Sequence, residues 1–451
     1  MPQSTMTIRL PTDPRSDAYE DFATAYAFAA GYFVETRLKL RDTTVEVLEL
    51  DVVATSALTK DAKRVLVEAK SGGWGFPDVF KVSGWINFLG IPAGVVIYRE
   101  EIEQRRKESL DAVSKKTNVS CHRFDLVGKV VESPFNDGRK IDADFGGHIL
   151  TKAWYSQISQ RLVFANFTSY CKSSPGAAFE SLIANTIDYQ RAAERSFFES
   201  DPAARVAALY RAYQRNPNLS GAFVDAMSTA KAVPMQNIWN EANDTKDHLW
   251  LQYVMFLEHR ARIGIIKAAA DLIATGAKEK AKLGAFYEVV LPDSFLSGLE
   301  KLAVLPEWEK VPYLFQMLVE VFGGFYRDDE IELLAAATGI APANIPTALA
   351  LYQEFFPTGK GWFYTVKGLH RLKLIPAFLR GIGCFFRQSV HKLDRYEAKY
   401  PDHSWLYCKW HNVAIVTCGR ELAVPEKQAL PVAAPAKPAS PKALPPAPPK
   451  A

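Results

Sequence analysis

The chain has 451 residues, 48% hydrophobic and 23% charged, with 54 Lys/Arg against 50 Asp/Glu for a net charge of +4; this supplies a core and excludes a wholly disordered protein. Five cysteines without paired short spacing exclude a disulfide scaffold and fit a reducing compartment. The opening MPQSTMTIRLPTDPRSD lacks a basic stretch followed by an apolar run, and nothing reaches the ~18 uninterrupted apolar residues of a membrane span, so the expectation is a soluble cytoplasmic protein.

At roughly 100 to 200 residues per domain the length predicts two or three domains. Residues 1–134 hold 18 Lys/Arg against 19 Asp/Glu, net −1, and residues 423–451 hold 4 against 1, net +3. No domain is basic overall, so any surface that meets phosphate must be local.

From residue 15 to about 130 the period of the apolar pattern changes repeatedly, as in an α/β unit. Ser16 or Asp17 can cap a helix through YEDFATAYAFAA that stops at Gly31. YFVETRLKLR, VEVLELDVVA and RVLVEAK follow as strands rich in β-branched residues, bounded by polar turns. The Gly-rich loop SGGWGFPD leads to a short helix over 79–89, then the strand AGVVIY, the helix EIEQRRKESLDAVSKKT and the strand VSCHRFDL. Residues 151–422 carry apolar residues at three- and four-residue spacing and predict a mostly helical second domain, the place for substrate choice or regulation. From 423 onward PVAAPAKPASPKALPPAPPKA predicts an extended, disordered basic tail.

Chemistry concentrates at the end of RVLVEAK. Period-two geometry puts Glu68 and Lys70 on one face, with Ala69 on the other. The preceding strand carries Asp51. In an antiparallel hairpin centred near residues 59 and 60, residues whose numbers add to about 119 face each other, which sets Asp51 opposite Glu68. Two facing carboxylates are unfavourable without a cation between them. Mg²⁺ (or Mn²⁺) suits such a pair, because it takes oxygen ligands and is held by one or two carboxylates plus a phosphate.

Asp51, the triplet Glu68-Ala69-Lys70, and Glu20 in the helix before them resemble the PD-(D/E)xK nuclease superfamily, the restriction-endonuclease-like fold, and within it the Mrr-type, resolvase-like branch. The resemblance covers residues 15 to about 130. It implies an N-terminal α/β domain with a mixed central sheet. Asp51 and Glu68 would hold the metal, Lys70 would position or polarise the attacking water, and Glu20, or its neighbour Asp21, would support the metal's water shell. The implied function is Mg²⁺-dependent hydrolysis of a phosphodiester in nucleic acid, chiefly double-stranded DNA, in restriction or anti-phage defence, with a homo-oligomer or a defence-system protein as partner. A retained fold that binds without turnover, and a nuclease acting on RNA, are the rival readings. The sequence departs from the family pattern in having no Pro before Asp51 and no Gln in the helix after the triplet, where Lys81 is the nearest polar substitute.

Other signals carry two readings each. Trp74 either stacks on a base or covers the core edge, and Lys81 either meets phosphate or is a solvated helix residue. Residues 328–356 have the layout of a helix-turn-helix, but the second helix is poor in base-reading side chains and ordinary packing is preferred. Lys360, Lys367, Arg371, Lys373 and Arg380, interleaved with Trp362, Phe363 and Tyr364, either line a nucleic-acid path or solvate a helical face. His403, Cys408, His411 and Cys418 have irregular spacing, and buried Cys with hydrogen-bonded His is preferred to a zinc site. No Walker loop, dinucleotide fingerprint or Gly-x-Ser-x-Gly elbow is present.

Overall fold

The computed structural model describes residues 13–42, 45–57, 63–123, part of 149–199, then 201–215, 219–232, 246–275 and most of 291–372. In chain order the first part runs α1 (Asp17–Ala29), β1 (Tyr32–Asp42), β2 (Val45–Ser56), β3 (Arg64–Lys70), α2 (Phe76–Leu89), β4 (Ala93–Tyr98), α3 (Gln104–Thr117) and β5 (Val119–Arg123). These strands form one mixed sheet in the order β1-β2-β3-β4-β5, antiparallel from β1 to β3 and parallel from β3 to β5. The two parallel pairings require crossovers, which α2 and α3 provide.

β2 and β3 pair from Val52↔Val67 to Thr55↔Arg64, so partners add to 119, the register the hairpin argument expects. Along both strands alternate residues face opposite layers. Val52, Ala54, Val65 and Val67 pack toward α1, while Val53 and Leu66 pack with Val79, Val82 and Ile86 of α2 and Leu110 of α3. α1 is apolar around its circumference and almost wholly buried, as expected of a helix enclosed between two layers.

Gly94 of β4 sets how closely α2 lies on the sheet. A Cβ there would meet Val82 Cγ1 at 2.5 Å and Val119 Cγ2 at 3.3 Å, so only glycine leaves room for α2 at this height.

The second layer over α1 comes from the helical part: α4 (Pro202–Arg215), α5 (Leu219–Lys231), α6 (Lys246–Ala274), α7 (Asp293–Ala303), α8 (Val311–Glu320), α9 (Ile331–Thr338) and α10 (Ile345–Phe355). Its apolar interior is continuous with that of α1 and the sheet, through contacts such as the Phe28 and Tyr313 rings, 5.1 Å apart. α8 also closes the outer edge of β1. Gln316 Oε1 accepts the Val34 N–H at 3.1 Å, and Gln316 Nε2 donates to the Val34 carbonyl at 3.0 Å, so one side chain substitutes for a neighbouring strand. Tyr313 donates its hydroxyl to the Phe28 carbonyl at 2.8 Å. A buried ionic seam runs alongside: Asp271 of α6 pairs with Arg64 of β3 at 2.8 Å and Lys267 at 2.5 Å, and Arg205 of α4 pairs with Glu35 of β1 at 2.7 Å.

The region read as helical also contains strands. β6 (Phe325–Arg327), β7 (Phe363–Val366) and β8 (Leu369–Leu372) form a second sheet in the order β6-β8-β7, antiparallel throughout. Strands of three and four residues are too short to interrupt a helical period, which is why the pattern hid them. Arg371 and Tyr364 therefore sit on strands, and not on a helical face. Trp362 is buried, with the Arg262 guanidinium 4.4 Å from its ring. α9 and α10 meet at 104° around Gly339, whose φ is +68°, so the helix-turn-helix layout is real. The buried face of α10 (Ile345, Ala348, Leu349, Tyr352, Phe355) belongs to the core, and Phe355 lies against Gly298 of α7, which agrees with the packing reading.

Among the described residues no single helix is long and apolar enough to cross a membrane. Lys360, Lys367, Lys373, Arg380, His403, Cys408, His411, Cys418, the expected domain limit at 134 and the Pro-rich segment 423–451 lie outside the described residues.

Replacing Gly94 with Ala is expected to lower unfolding stability by about 1–3 kcal/mol in urea denaturation, and adding Val82→Ala is expected to restore part of that loss by removing the methyl it strikes.

Candidate active site

The candidate site forms where β2 and β3 part. Below the Val52↔Val67 pair the backbone ladder between them ends, and the Asp51 side chain takes its place: Asp51 Oδ2 accepts the Ala69 N–H at 2.9 Å. A carboxylate thus performs the role of a strand carbonyl and is held at the opening by doing so. The next residues of β3 alternate, so Glu68 and Lys70 turn to the α2 side together.

Glu68 is 1% exposed. Its Oε1 accepts from Lys70 Nζ at 2.8 Å and from Lys81 Nζ of α2 at 2.8 Å, whereas its Oε2 is buried without a hydrogen-bond partner. Lys70 also reaches Asp78 Oδ1 at 3.1 Å. Asp78 Oδ2 accepts the Gly75 N–H at 2.8 Å at the start of α2, so the same residue caps the helix and fixes the ammonium group.

Burial raises the Asp51 carboxyl, the Glu68 charge beside it raises it further, and the Ala69 hydrogen bond only partly offsets them; the result is pushed up to about 7. Burial acts to lower Lys70, but its bonds to Glu68 and Asp78 outweigh that and hold it above its usual range, fully charged. Asp78 is raised by burial and more than restored by the Gly75 N–H and Lys70, so it stays below its usual value.

Glu20 and Asp21 separate clearly. Asp21 is fully buried between two guanidinium groups, Arg37 at 2.7 Å and Arg161 at 2.8 Å, the latter from the helical part. It is a structural anchor. Glu20 keeps a longer contact to Arg37, 3.5 Å, and retains 27% exposure. Burial, partly countered by Arg37, raises its carboxyl, and its charge in turn acts on Asp51, which places it within reach of the cluster. Ser16 makes no side-chain cap on α1; its N–H donates to Ser71 Oγ at 2.8 Å, tying the start of the helix that carries Glu20 to the loop after Lys70.

Trp74 follows the core reading. It is 8% exposed, its ring lies 4.5 Å from that of Tyr98, and its carbonyl accepts a hydrogen bond from Arg106 of α3. It has no free face for a base. Lys81 joins the site through Glu68, with its ammonium 4.1 Å from the Trp85 ring. Sequence reasoning missed Asp78 and Arg37. Asp78 had a signal, an acid three residues after Gly75 at a Pro-marked helix start. Arg37, at φ +52° in mid-strand, had none.

Among the described residues no three His, Cys, Asp or Glu side chains converge as a ready cage. The residues present nevertheless fit a hard divalent ion held by two carboxylates. The donors are oxygens, Glu68 Oε2 is buried and unused, and Asp51 and Glu68 repel each other when both are charged. Compared with known proteins, the chain matches no family model, no curated protein and no solved structure.

Two outcomes follow from the electrostatics. Asp21→Asn, which strips charge from a carboxylate enclosed by two arginines, is expected to cost about 3 kcal/mol in thermal or urea unfolding, while Glu20→Gln shifts it by less than about 0.5 kcal/mol. Because the folded chain keeps the Asp51 proton up to about pH 7 and the unfolded chain releases it near its ordinary value, the metal-free protein loses stability as pH rises from about 4 to 7. Asn at 51 can still accept the Ala69 N–H but carries no charge. Asp51→Asn is therefore expected to be the more stable protein above pH 7 in EDTA, by on the order of 1 kcal/mol, with the difference vanishing near pH 4.

Proposed function

We propose that this protein is a Mg²⁺-dependent endonuclease that hydrolyses phosphodiester bonds in DNA. The reading is carried by one observation: where β2 and β3 part, the Asp51 carboxylate is held on the Ala69 N–H beside Glu68, whose charge acts on it, and the Lys70 ammonium bridges Glu68 and Asp78. Asp51 and Glu68 are the residues that would hold the ion, with Glu20 supporting its water shell. When bound, a divalent ion polarises a phosphoryl oxygen and lowers the pKa of bound water.

The chain's own groups supply the rest. Lys70 is a point charge fixed beside Glu68, where it stabilises negative charge growing on an attacking water oxygen. Asp78 and the Gly75 N–H stop that ammonium from rotating away. Ser71, Gly72 and Gly73 follow Lys70 directly, and a Cβ on Gly72 or Gly73 would meet nothing within 4 Å, so this loop leaves space for a phosphate backbone. From the start of α3, Arg106 reaches that loop through its bond to the Trp74 carbonyl. A role in restriction or anti-phage defence belongs to the same proposal and rests on the family resemblance alone.

A second reading, a nuclease-like fold that binds nucleic acid without cutting it, is favoured by the two lysines that already neutralise Glu68.

Full-length protein is to be incubated with Mg²⁺, or Mn²⁺, and linear, supercoiled, methylated or single-stranded DNA, and with RNA. The expected result is DNA cleavage that EDTA stops, that Asp51→Ala abolishes and that Lys70→Ala slows by roughly 10²–10⁴-fold. Cleavage persisting in both variants would remove this site from the reaction. Tight binding of DNA with no cleavage in either metal would favour the binder, and cleavage confined to RNA would replace the substrate.

A further inference from the structure

Two ammonium groups converge on one oxygen of Glu68, and they are not held alike. Lys70 Nζ has a second carboxylate, Asp78, at 3.1 Å, and its side chain is 23% exposed. Lys81 Nζ, also 2.8 Å from Glu68 Oε1, is 41% exposed and rests against the face of Trp85 at 4.1 Å. One lysine is clamped between two acids, and the other reaches in from the surface of α2. When Lys81 withdraws into water the buried Glu68 keeps Lys70 as its partner, whereas withdrawal of Lys70 would take the ammonium from both Glu68 and Asp78.

The local charge count assigns a consequence to that difference. Asp51, Glu68 and Asp78 are three carboxylates against two ammonium groups, Lys70 and Lys81. With these acids ionised, and Glu20 acting on Asp51 as a further acid, the cluster is short of positive charge, and withdrawing Lys81 deepens that shortfall. Lys81 also lies close enough to Asp51 to act on its charge, so a single side chain partly neutralises both carboxylates that would hold the ion.

We propose that Lys81 is the counterion of Glu68 in the metal-free protein, competing with the divalent cation for Glu68 and setting the metal concentration at which the site fills. This rests on the reading of Asp51 and Glu68 as metal-holding residues. Lys81 acts through Glu68 and is a positioning residue, not a catalytic one. The arrangement keeps Glu68 paired when no metal is present. Filling the site then requires Lys81 to move away from Glu68 into solvent, which its partial exposure allows.

The test is metal binding by the full-length protein without nucleic acid: Mg²⁺ titrated by calorimetry and Mn²⁺ followed by electron paramagnetic resonance, in wild type, Lys81→Gln, Lys81→Arg and Glu68→Gln. Removing a charged hydrogen-bond competitor is expected to tighten Mg²⁺ binding in Lys81→Gln by roughly tenfold. Lys81→Arg retains the charge and is expected to bind within about twofold of wild type, and Glu68→Gln is expected to lose binding. The position is exposed on a helix, so folding is preserved and is checked by circular dichroism. If Lys81→Gln binds Mg²⁺ no more tightly than wild type, or more weakly, the proposal is overturned while the metal-site reading survives. If wild type and Lys81→Gln both bind neither ion, the metal-site reading falls and this inference falls with it.

Discussion

The hydrogen bond from the Ala69 N–H to Asp51 is the contact on which the site depends. Where two strands stay paired, backbone carbonyls fill that position and no side chain is needed. Here the strands separate, an amide is left needing an acceptor, and a carboxylate fills the gap from the neighbouring strand. Meeting that need draws Asp51 toward Glu68, against the repulsion between them. The cost appears in the raised Asp51 carboxyl and in the cations gathered around Glu68. Glu68 Oε2, by contrast, is buried without a hydrogen-bond partner.

Much of this was legible in the sequence, for identifiable reasons. Strands β1 to β5 show themselves by β-branched runs broken at polar turns, and the 119 register follows from hairpin geometry alone. Carried one position past Val52↔Val67, where the backbone pairing ends, that register sets Asp51 opposite Glu68 and needs no knowledge of the fold. Less visible were the groups whose role depends on distant packing. Asp21 looks as good a candidate as its neighbour Glu20 until Arg161, 140 residues later, is seen to enclose it. Trp74 follows a Gly-rich loop, where an exposed aromatic would be reasonable, yet Tyr98 on another strand claims its face. The small second sheet escaped because strands of three or four residues do not perturb a helical period.

The helical part is bound to the sheet by two different kinds of contact. Apolar packing across α1 supplies the bulk, and it is tolerant of exchange among similar side chains. The polar contacts are directional: Gln316 on the β1 edge, Tyr313 on the end of α1, and the Arg64, Arg205, Lys267 and Asp271 seam. Arg64 lies at one end of the strand whose other end holds Glu68 and Lys70. The seam therefore ties the start of β3 to α6, at the opposite end of the strand from the site.

The Gln316 clasp has a consequence for how this chain can be divided. Cut before the helices, the α/β half would present a bare strand margin at β1 and an uncovered aromatic helix at α1, both invitations to self-association. A different helical partner would have to bring its own cover for that margin, as the Gln316 amide does for the two backbone atoms of Val34.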